Sequence, residues 1–322
     1  MTSAPIVLTC GDPAGIGPEL IGETWRTLCD EIVFYVIGDA AHIPRNHPIV
    51  RIDKPEQANN AMSCGIPVLH YDFSCASRPG TPDPRNAPDI VSVINRAVDD
   101  VTSGRACAMT TMPIAKSILI AGANFCHTGH TDYLADKTNA SNVAMMLVGP
   151  DLRVVPTTIH IPLSQVPEHL TPQKLQATLE VTIHGLREYF GIKEPRLVVS
   201  GLNPHAGEDG KLGTEEVEWI NAVIKNFCDT STTVTGPHSA DSLFHTRARQ
   251  TYDAAIMMYH DQALIPVKTL YFDCAVNLTL GLPFVRTSPD HGTAFDIAGQ
   301  GKASAASAIA AIRLAKQLVD RT

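Results

Sequence analysis

An α/β fold is what this sequence predicts, and three observations predict it. Apolar runs of strand length recur along the chain, and several are separated by stretches whose apolar residues fall at helical spacing. Within AAIMMYHDQALIPVK, 254–268, the residues Ala254 to Met258 show no polar-apolar alternation, as expected of a strand buried on both faces in a parallel sheet. Tyr259, His260, Asp261 and Gln262 follow at its C-terminal end, where open α/β sheets bind their ligands.

The elements follow in order. IVLTCGDPAGIGPEL opens as a strand, a glycine-bearing turn and a helix running through Ile21 to Leu28, and IVFYVIGD, 32–39, is a second strand. SRPGTPDPRNAP, 77–88, is dense in Pro, Gly and Asp and reads as a surface loop. A helix follows it, with Ile90, Val91, Ile94, Ala97, Val98 and Val101 at helical spacing. Strand-like runs recur at 143–149, 153–163, 196–203, 254–260 and 275–285, with helix-like stretches at 172–190 and 213–228. The Ala/Ser-rich segment 303–318 suits a C-terminal helix, and no internal repeat interrupts the series.

At 322 residues the chain is long enough for two lobes. Its 25 Lys plus Arg against 33 Asp plus Glu leave a net charge of -8, which argues against nonspecific nucleic-acid or anionic-membrane binding. An anionic substrate must then be held by a local group of cations and backbone N–H. MTSAPIVLTCGDPAG holds no Lys or Arg and no apolar run approaches the roughly 18 residues of a membrane span, so a cytoplasmic protein is expected. The eight cysteines form no CxxC pair and are expected to be reduced thiols, mostly buried, with Cys126 beside His127 an incidental neighbour pair.

His160 follows VVPTTI, His205 follows LVVSGLNP and His260 follows AAIMMY, so three strands each end near a histidine. Neutral imidazole is the commonest side-chain metal ligand, and three of them leave coordination positions for a substrate. Asp261 beside His260 is placed to orient a ligand or accept a proton. The separations are no motif, and each histidine alone reads equally as a hydrogen-bonded structural residue. In CHTGHTDYLAD, 126–136, His130 and Thr131 lie in a turn leading into a helix with Asp132 in its first turn, which suits either an anion or a simple cap. GDPAGIGPE is not a dinucleotide fingerprint, because Leu20 stands where the third glycine of GxGxxG belongs. RTSPDHGTAFDIAGQGKAS, 286–304, is a second glycine-bearing loop that a nucleotide could approach closely.

Taken together, TCGDPAGIGPE, GHTDYLA, GLNPHAGEDG, MMYHDQALIPVKTL and VNLTLGLPFVRTSPDHGTAFDIAG resemble the 4-hydroxythreonine-4-phosphate dehydrogenase family of vitamin B6 biosynthesis, in order and over nearly the whole chain. HGTAFDIAG is also similar to a loop of isocitrate and isopropylmalate dehydrogenases. The resemblance implies their two-lobed, three-layer α/β/α fold with the active site in the cleft. Residues 1–128 with 286–322 would then form the nucleotide-binding lobe, and 129–285 the metal, substrate and dimerisation lobe. It makes His160, His205 and His260 ligands of a divalent metal (zinc, magnesium or cobalt) in a site shared between two subunits of a homodimer. His130, Thr131, Lys268, Asn277 and Arg286 become substrate contacts, the two cations supplying the local positive charge. Gly11, Asp12, His291, Gly292, Thr293 and Asp296 become contacts for NAD or NADP. Asp132 stands where the family pattern has Glu, which bears on substrate choice.

The implied reaction is oxidation of 4-phosphooxy-L-threonine to 2-amino-3-oxo-4-(phosphooxy)butanoate, which decarboxylates to 3-amino-2-oxopropyl phosphate on the way to pyridoxal phosphate. Asp241, Asp261 and Lys268 all remain candidates for the proton acceptor. Two alternatives stand beside it: a related dehydrogenase for a dihydrodiol dicarboxylate or a phosphorylated four-carbon sugar acid, and a phosphate acyltransferase-like transferase or binding protein on the same scaffold.

Overall fold

A computed structural model describes residues 4–227 and 231–321. Its strands are β1 (Ile6–Thr9), β2 (Phe34–Gly38), β3 (Ile49–Ile52), β4 (Ile66–His70), β5 (Ala108–Thr111), β6 (Ala144–Val148), β7 (Arg153–Pro156), β8 (Arg196–Ser200), β9 (Thr233–His238), β10 (Ala254–Met257), β11 (Val276–Leu280) and β12 (Arg286–Pro289). The mixed α/β class is as expected. The chain divides into two compact units, one holding the chain up to Leu134 with Leu282–Asp320 and the other Ala135–Gly281.

The first unit orders its strands β3-β4-β2-β1-β5-β12, with every pair parallel. Parallel strands need helical crossovers, and these carry the apolar faces that cover the sheet. The helix Ala87–Thr102 buries Ile90, Val93, Ile94, Ala97, Val98 and Val101, successive turns of one stripe, and packs on β1, β2 and β5. The helix Ala306–Val319 buries Ala308, Ala311, Ile312, Ala315 and Leu318; its small residues allow a close approach, and Thr287 Oγ1 donates to the Ala311 carbonyl.

The second unit orders its strands β11-β6-β7-β10-β8-β9, antiparallel where β6 meets β11 and β7 and parallel from β7 to β9. β10 lies between the parallel neighbours β7 and β8 with all four residues buried, which is what its unbroken apolar run required. Thr171 caps the helix Pro172–Glu188 by accepting from Lys174 N, with Pro172 pre-set at the first helical position.

Several expected elements are cut shorter, each by a backbone cause. The run 153–163 stops as a strand at Pro156; Thr157 and Thr158 still donate to the Met257 and Met258 carbonyls, and then His160, at φ 53°, turns the chain away. The run 275–285 breaks at Gly281, whose φ of 85° admits β11 to a turn before β12. The run 254–260 ends at Met257, and His260 begins a helix, His260–Tyr271, that the strand reading overlooked. The stretch 213–228 forms a π-helical segment, Glu216–Ile220, and then Asn221–Lys225, while Cys228 lies outside the described residues. β3, β4, β5 and β9 had no individual reading, and β12 corrects the loop expected over 286–304, whose first four residues form a buried strand beside β5. The cysteines correct another expectation: of the seven described, Cys10 alone is buried, because it alone closes a central strand, and the rest sit at helix ends and in loops. No helix among the described residues is long and apolar enough to cross a membrane.

Candidate active site

Polar groups collect at the C-terminal ends of the second unit's strands. His160 leaves β7 in the left-handed region, and His260 opens the helix after β10, with the two rings 5.8 Å apart between centroids. His260 Nδ1 donates to Asp261 Oδ1 at 2.7 Å, which fixes the tautomer that leaves Nε2 as a bare lone pair. The two histidines and Asp261 line one pocket with Thr158, Ile159 and Tyr259. His205 lies in the turn Pro204–Gly210 after β8, where His205, Ala206, Gly207, Glu208 and Asp209 all have positive φ. Four of those five are not glycine, and each such residue costs about 1 kcal/mol or more, so the loop is held by its surroundings. The Asp241 carboxyl lies below its ordinary range, chiefly because it accepts from Ser239 Oγ, with nearby His205 a further cause.

The structure thus brings together His160, His260 and Asp261, and separately His205 and Asp241. Among the described residues no group of three or more His, Cys, Asp or Glu side chains is arranged to hold a metal within one chain. The donor chemistry nevertheless fits a divalent cation: two neighbouring imidazoles, one with its tautomer set by a carboxylate, and backbone strain at both His160 and His205.

Gln262 ties these strand ends together. Its Oε1 accepts from Met258 N at 2.7 Å and Ser200 Oγ at 3.0 Å, and its Nε2 donates to the Gly201 carbonyl at 2.9 Å. It therefore bonds the end of β10 to the end of β8. The sequence showed the residue but not its partners. Further along the same helix, Lys268 Nζ lies 5.9 Å from the Phe272 ring centroid. Asn277, on β11, has a buried Oδ1 without a hydrogen-bond partner among the described residues.

The first unit holds the remaining expected residues. His130 and Thr131 begin the helix His130–Thr138, and Asp132 accepts from Thr128 Oγ1. His130 Nε2 is buried with no hydrogen-bond partner among the described residues, and burial first, then the Arg286 charge, hold this imidazole well below its ordinary pKa. Arg286, the first residue of β12, is itself buried; desolvation brings its guanidinium down to about 9. Its Nη2 donates to Thr111 Oγ1 at 2.5 Å, a buried hydroxyl at the end of β5 that sequence reading missed. A guanidinium kept this dry beside an imidazole held below its ordinary pKa has the chemistry to bind an anion.

The two glycine-bearing loops of this unit also meet. Gly11 has φ 72°, and Asp12, buried, takes its N–H to the Pro113 carbonyl and accepts from Ala14 N through Oδ1. Burial raises the Asp12 carboxyl. Ile16 N donates to the Thr293 carbonyl at 3.0 Å, and a Cβ at Gly15 would stand 2.9 Å from that oxygen, so only glycine admits the contact. The turn that begins at Gly11 and Asp12 thus meets the loop of Thr293 through Gly15 and Ile16, with His291 and Gly292 on that loop and Asp296 exposed beyond them.

Three comparisons extend this picture. The sequence model of the family described as pyridoxal phosphate biosynthetic protein PdxA matches residues 28–315. A protein of Ruegeria sp. (strain TM1040) named 4-hydroxythreonine-4-phosphate dehydrogenase is 52% identical over 320 residues, 99% of this chain and 98% of its own length. One of the same name from Roseobacter denitrificans is 51% identical with the same coverage. Among solved structures, a 4-hydroxythreonine-4-phosphate dehydrogenase from Klebsiella pneumoniae matches with a TM-score of 0.87 at 35% identity, covering 98% of this chain and 100% of that one.

Proposed function

Because this chain belongs to the pyridoxal phosphate biosynthetic protein PdxA family, we propose that it oxidises 4-phosphooxy-L-threonine to 2-amino-3-oxo-4-(phosphooxy)butanoate, which decarboxylates to 3-amino-2-oxopropyl phosphate. The observation that carries the reading is the His160 and His260 pair, 5.8 Å apart, with Asp261 setting the tautomer of His260. His160, His205 and His260 hold a zinc, magnesium or cobalt ion, completed across two subunits of a homodimer in the cytoplasm. When bound, the cation would supply Lewis-acid polarisation of substrate oxygen, and NAD or NADP, which Gly11, Asp12, His291, Gly292, Thr293 and Asp296 would hold, would supply the hydride acceptor.

The chain's own groups do the rest. Arg286, His130 and Thr131 grip the anionic end of the substrate, with Lys268 and Asn277 as further contacts. Charge-assisted bonds from a desolvated guanidinium bind a phosphate far better than the same bonds in water. The alcohol proton goes to Asp241, Asp261 or Lys268. Ser239 Oγ donates to Asp241 and holds its carboxyl below the ordinary range, which makes it a weaker base than a free carboxylate.

The test strips metal from the purified protein, adds 4-phosphooxy-L-threonine and NAD or NADP, and follows nicotinamide reduction before and after zinc, magnesium or cobalt is returned. Metal-dependent reduction, lost in His260→Ala, is the expected result. Nicotinamide reduction with a dihydrodiol dicarboxylate or a sugar acid phosphate instead would replace the substrate; nicotinamide reduction that needs no metal would remove the histidines from the chemistry.

A further inference from the structure

The loop that carries His205 is held from behind by a carboxylate with no assigned role. Glu216 begins the π-helical segment Glu216–Ile220 and is buried to 1% exposure. π-Helical turns are rare and recur at functional sites. Its Oε1 accepts from Asn203 N at 2.9 Å, and its Oε2 accepts from Asn203 Nδ2 at 3.0 Å, so both oxygens grip the residue at the head of the turn. Glu215 Oε2 takes a second bond from the same amide at 2.7 Å and one from Thr214 N at 3.1 Å.

The packing is as tight as the bonding. A Cβ on Gly207, at φ 81°, would stand 2.6 Å from Glu216 Oε2; one on Gly201 would stand 3.1 Å from Oε1 and 2.6 Å from Ala206 Cα; one on Gly213 would stand 2.2 Å from Asn203 Nδ2. Two glycines thus let the turn close on the carboxylate, and a third lets it close on the Asn203 amide. Within the turn, Ala206 N returns to the Asn203 carbonyl and Leu212 N to that of Gly207. A run of left-handed residues has no propensity of its own to persist, and these bonds are what the surroundings supply to hold it.

We propose that Glu216 is the positioning residue for His205: by gripping Asn203 and closing against Gly201 and Gly207, it fixes the left-handed turn that presents this imidazole to a divalent cation. The inference rests on the metal reading above. It concerns the shell behind the ligand, where loss of a bonded partner typically weakens metal affinity by about 10–100-fold.

The test is zinc affinity of the metal-stripped full chain, by competition with a chromophoric chelator, with the melting temperature of the metal-free protein beside it. His205→Ala should abolish tight zinc binding. Glu216→Ala should weaken it by about 10–100-fold, and Glu216→Gln by less, since the amide oxygen can still accept from Asn203 N. Gly207→Ala, which leaves the carboxylate in place but crowds it, should also weaken zinc. A role in folding alone would lower the melting temperature and leave zinc affinity untouched. If His205→Ala loses zinc while Glu216→Ala keeps wild-type affinity, the clamp is refuted and the metal reading stands. If His205→Ala binds zinc like wild type, the metal reading falls and the clamp with it. Should Glu216→Ala fail to fold, Glu216→Gln and Gly207→Ala decide: wild-type zinc affinity in both refutes the proposal.

Discussion

Replacing Arg286 by methionine should make the ligand-free protein more stable and the enzyme useless. The guanidinium is buried, and desolvation brings it down by several pH units to about 9. At about 1.4 kcal/mol per pH unit, that corresponds to roughly 5 kcal/mol of solvation given up by the cation. Methionine has a comparable length and no charge, so it recovers that penalty, less about 1 kcal/mol for the bond to Thr111 Oγ1 and a further loss in imperfect packing. A net gain of about 1–3 kcal/mol follows, in line with other buried charges replaced by apolar residues. Affinity for 4-phosphooxy-L-threonine should fall about a hundredfold or more, the worth of one or two charge-assisted bonds. Denaturant unfolding without substrate and calorimetric titration with it make the two measurements. A variant that is less stable than wild type, or that still binds the phosphorylated substrate normally, would show that Arg286 is a structural cation.

Two further perturbations follow. His130 is held well below its ordinary pKa by burial and by Arg286. The unfolded chain therefore takes up a proton near pH 6.5 that the folded chain refuses, and stability falls by about 1.4 kcal/mol per pH unit below that point; in His130→Gln this slope should shrink, and equal slopes between pH 7 and 5 in both proteins would defeat the assignment. Gln262→Ala removes three bonds and strands Met258 N and the Gly201 carbonyl, so it should cost about 2–4 kcal/mol in urea unfolding; a loss under about 1 kcal/mol would mean the strand ends do not need the brace.

Burial made part of this molecule legible in its sequence. The run from Ala254 to Met257 is apolar because both faces of β10 are covered, and a reader of the sequence sees the same constraint that the fold obeys. The strand's end was harder, since the helix after it starts at His260 without a side-chain cap and contains Pro266. Boundaries of this kind depend on backbone angles: φ of 53° at His160 stops one expected strand and φ of 85° at Gly281 stops another. Candidate residues were visible by type, His and Asp at or just after strand ends and Lys268 further along. Their partners were not, because Thr111 lies 175 residues from Arg286 and Ser200 lies 62 from Gln262. The resemblance to a known family supplied roles; only the fold supplies the bonds that would make those roles work.

What remains unexplained by stability points the same way. A chain selected for folding alone would not keep Arg286 dry, hold His130 buried beside that charge, or run four non-glycine residues through left-handed angles between His205 and Asp209. Each is a local conflict between what the residue prefers and where it sits, and such conflicts persist where another demand outweighs them. β1, β6 and β10 show no such conflict: apart from Thr9 they are apolar and buried throughout. Arg286, His130, His160 and His205 are among the residues that family resemblance had already singled out, whereas the buried carboxylates of Asp100 and Glu216 are not. For those four residues the cost of burial or backbone angle coincides with the role the resemblance implies, and that coincidence supports the proposed site.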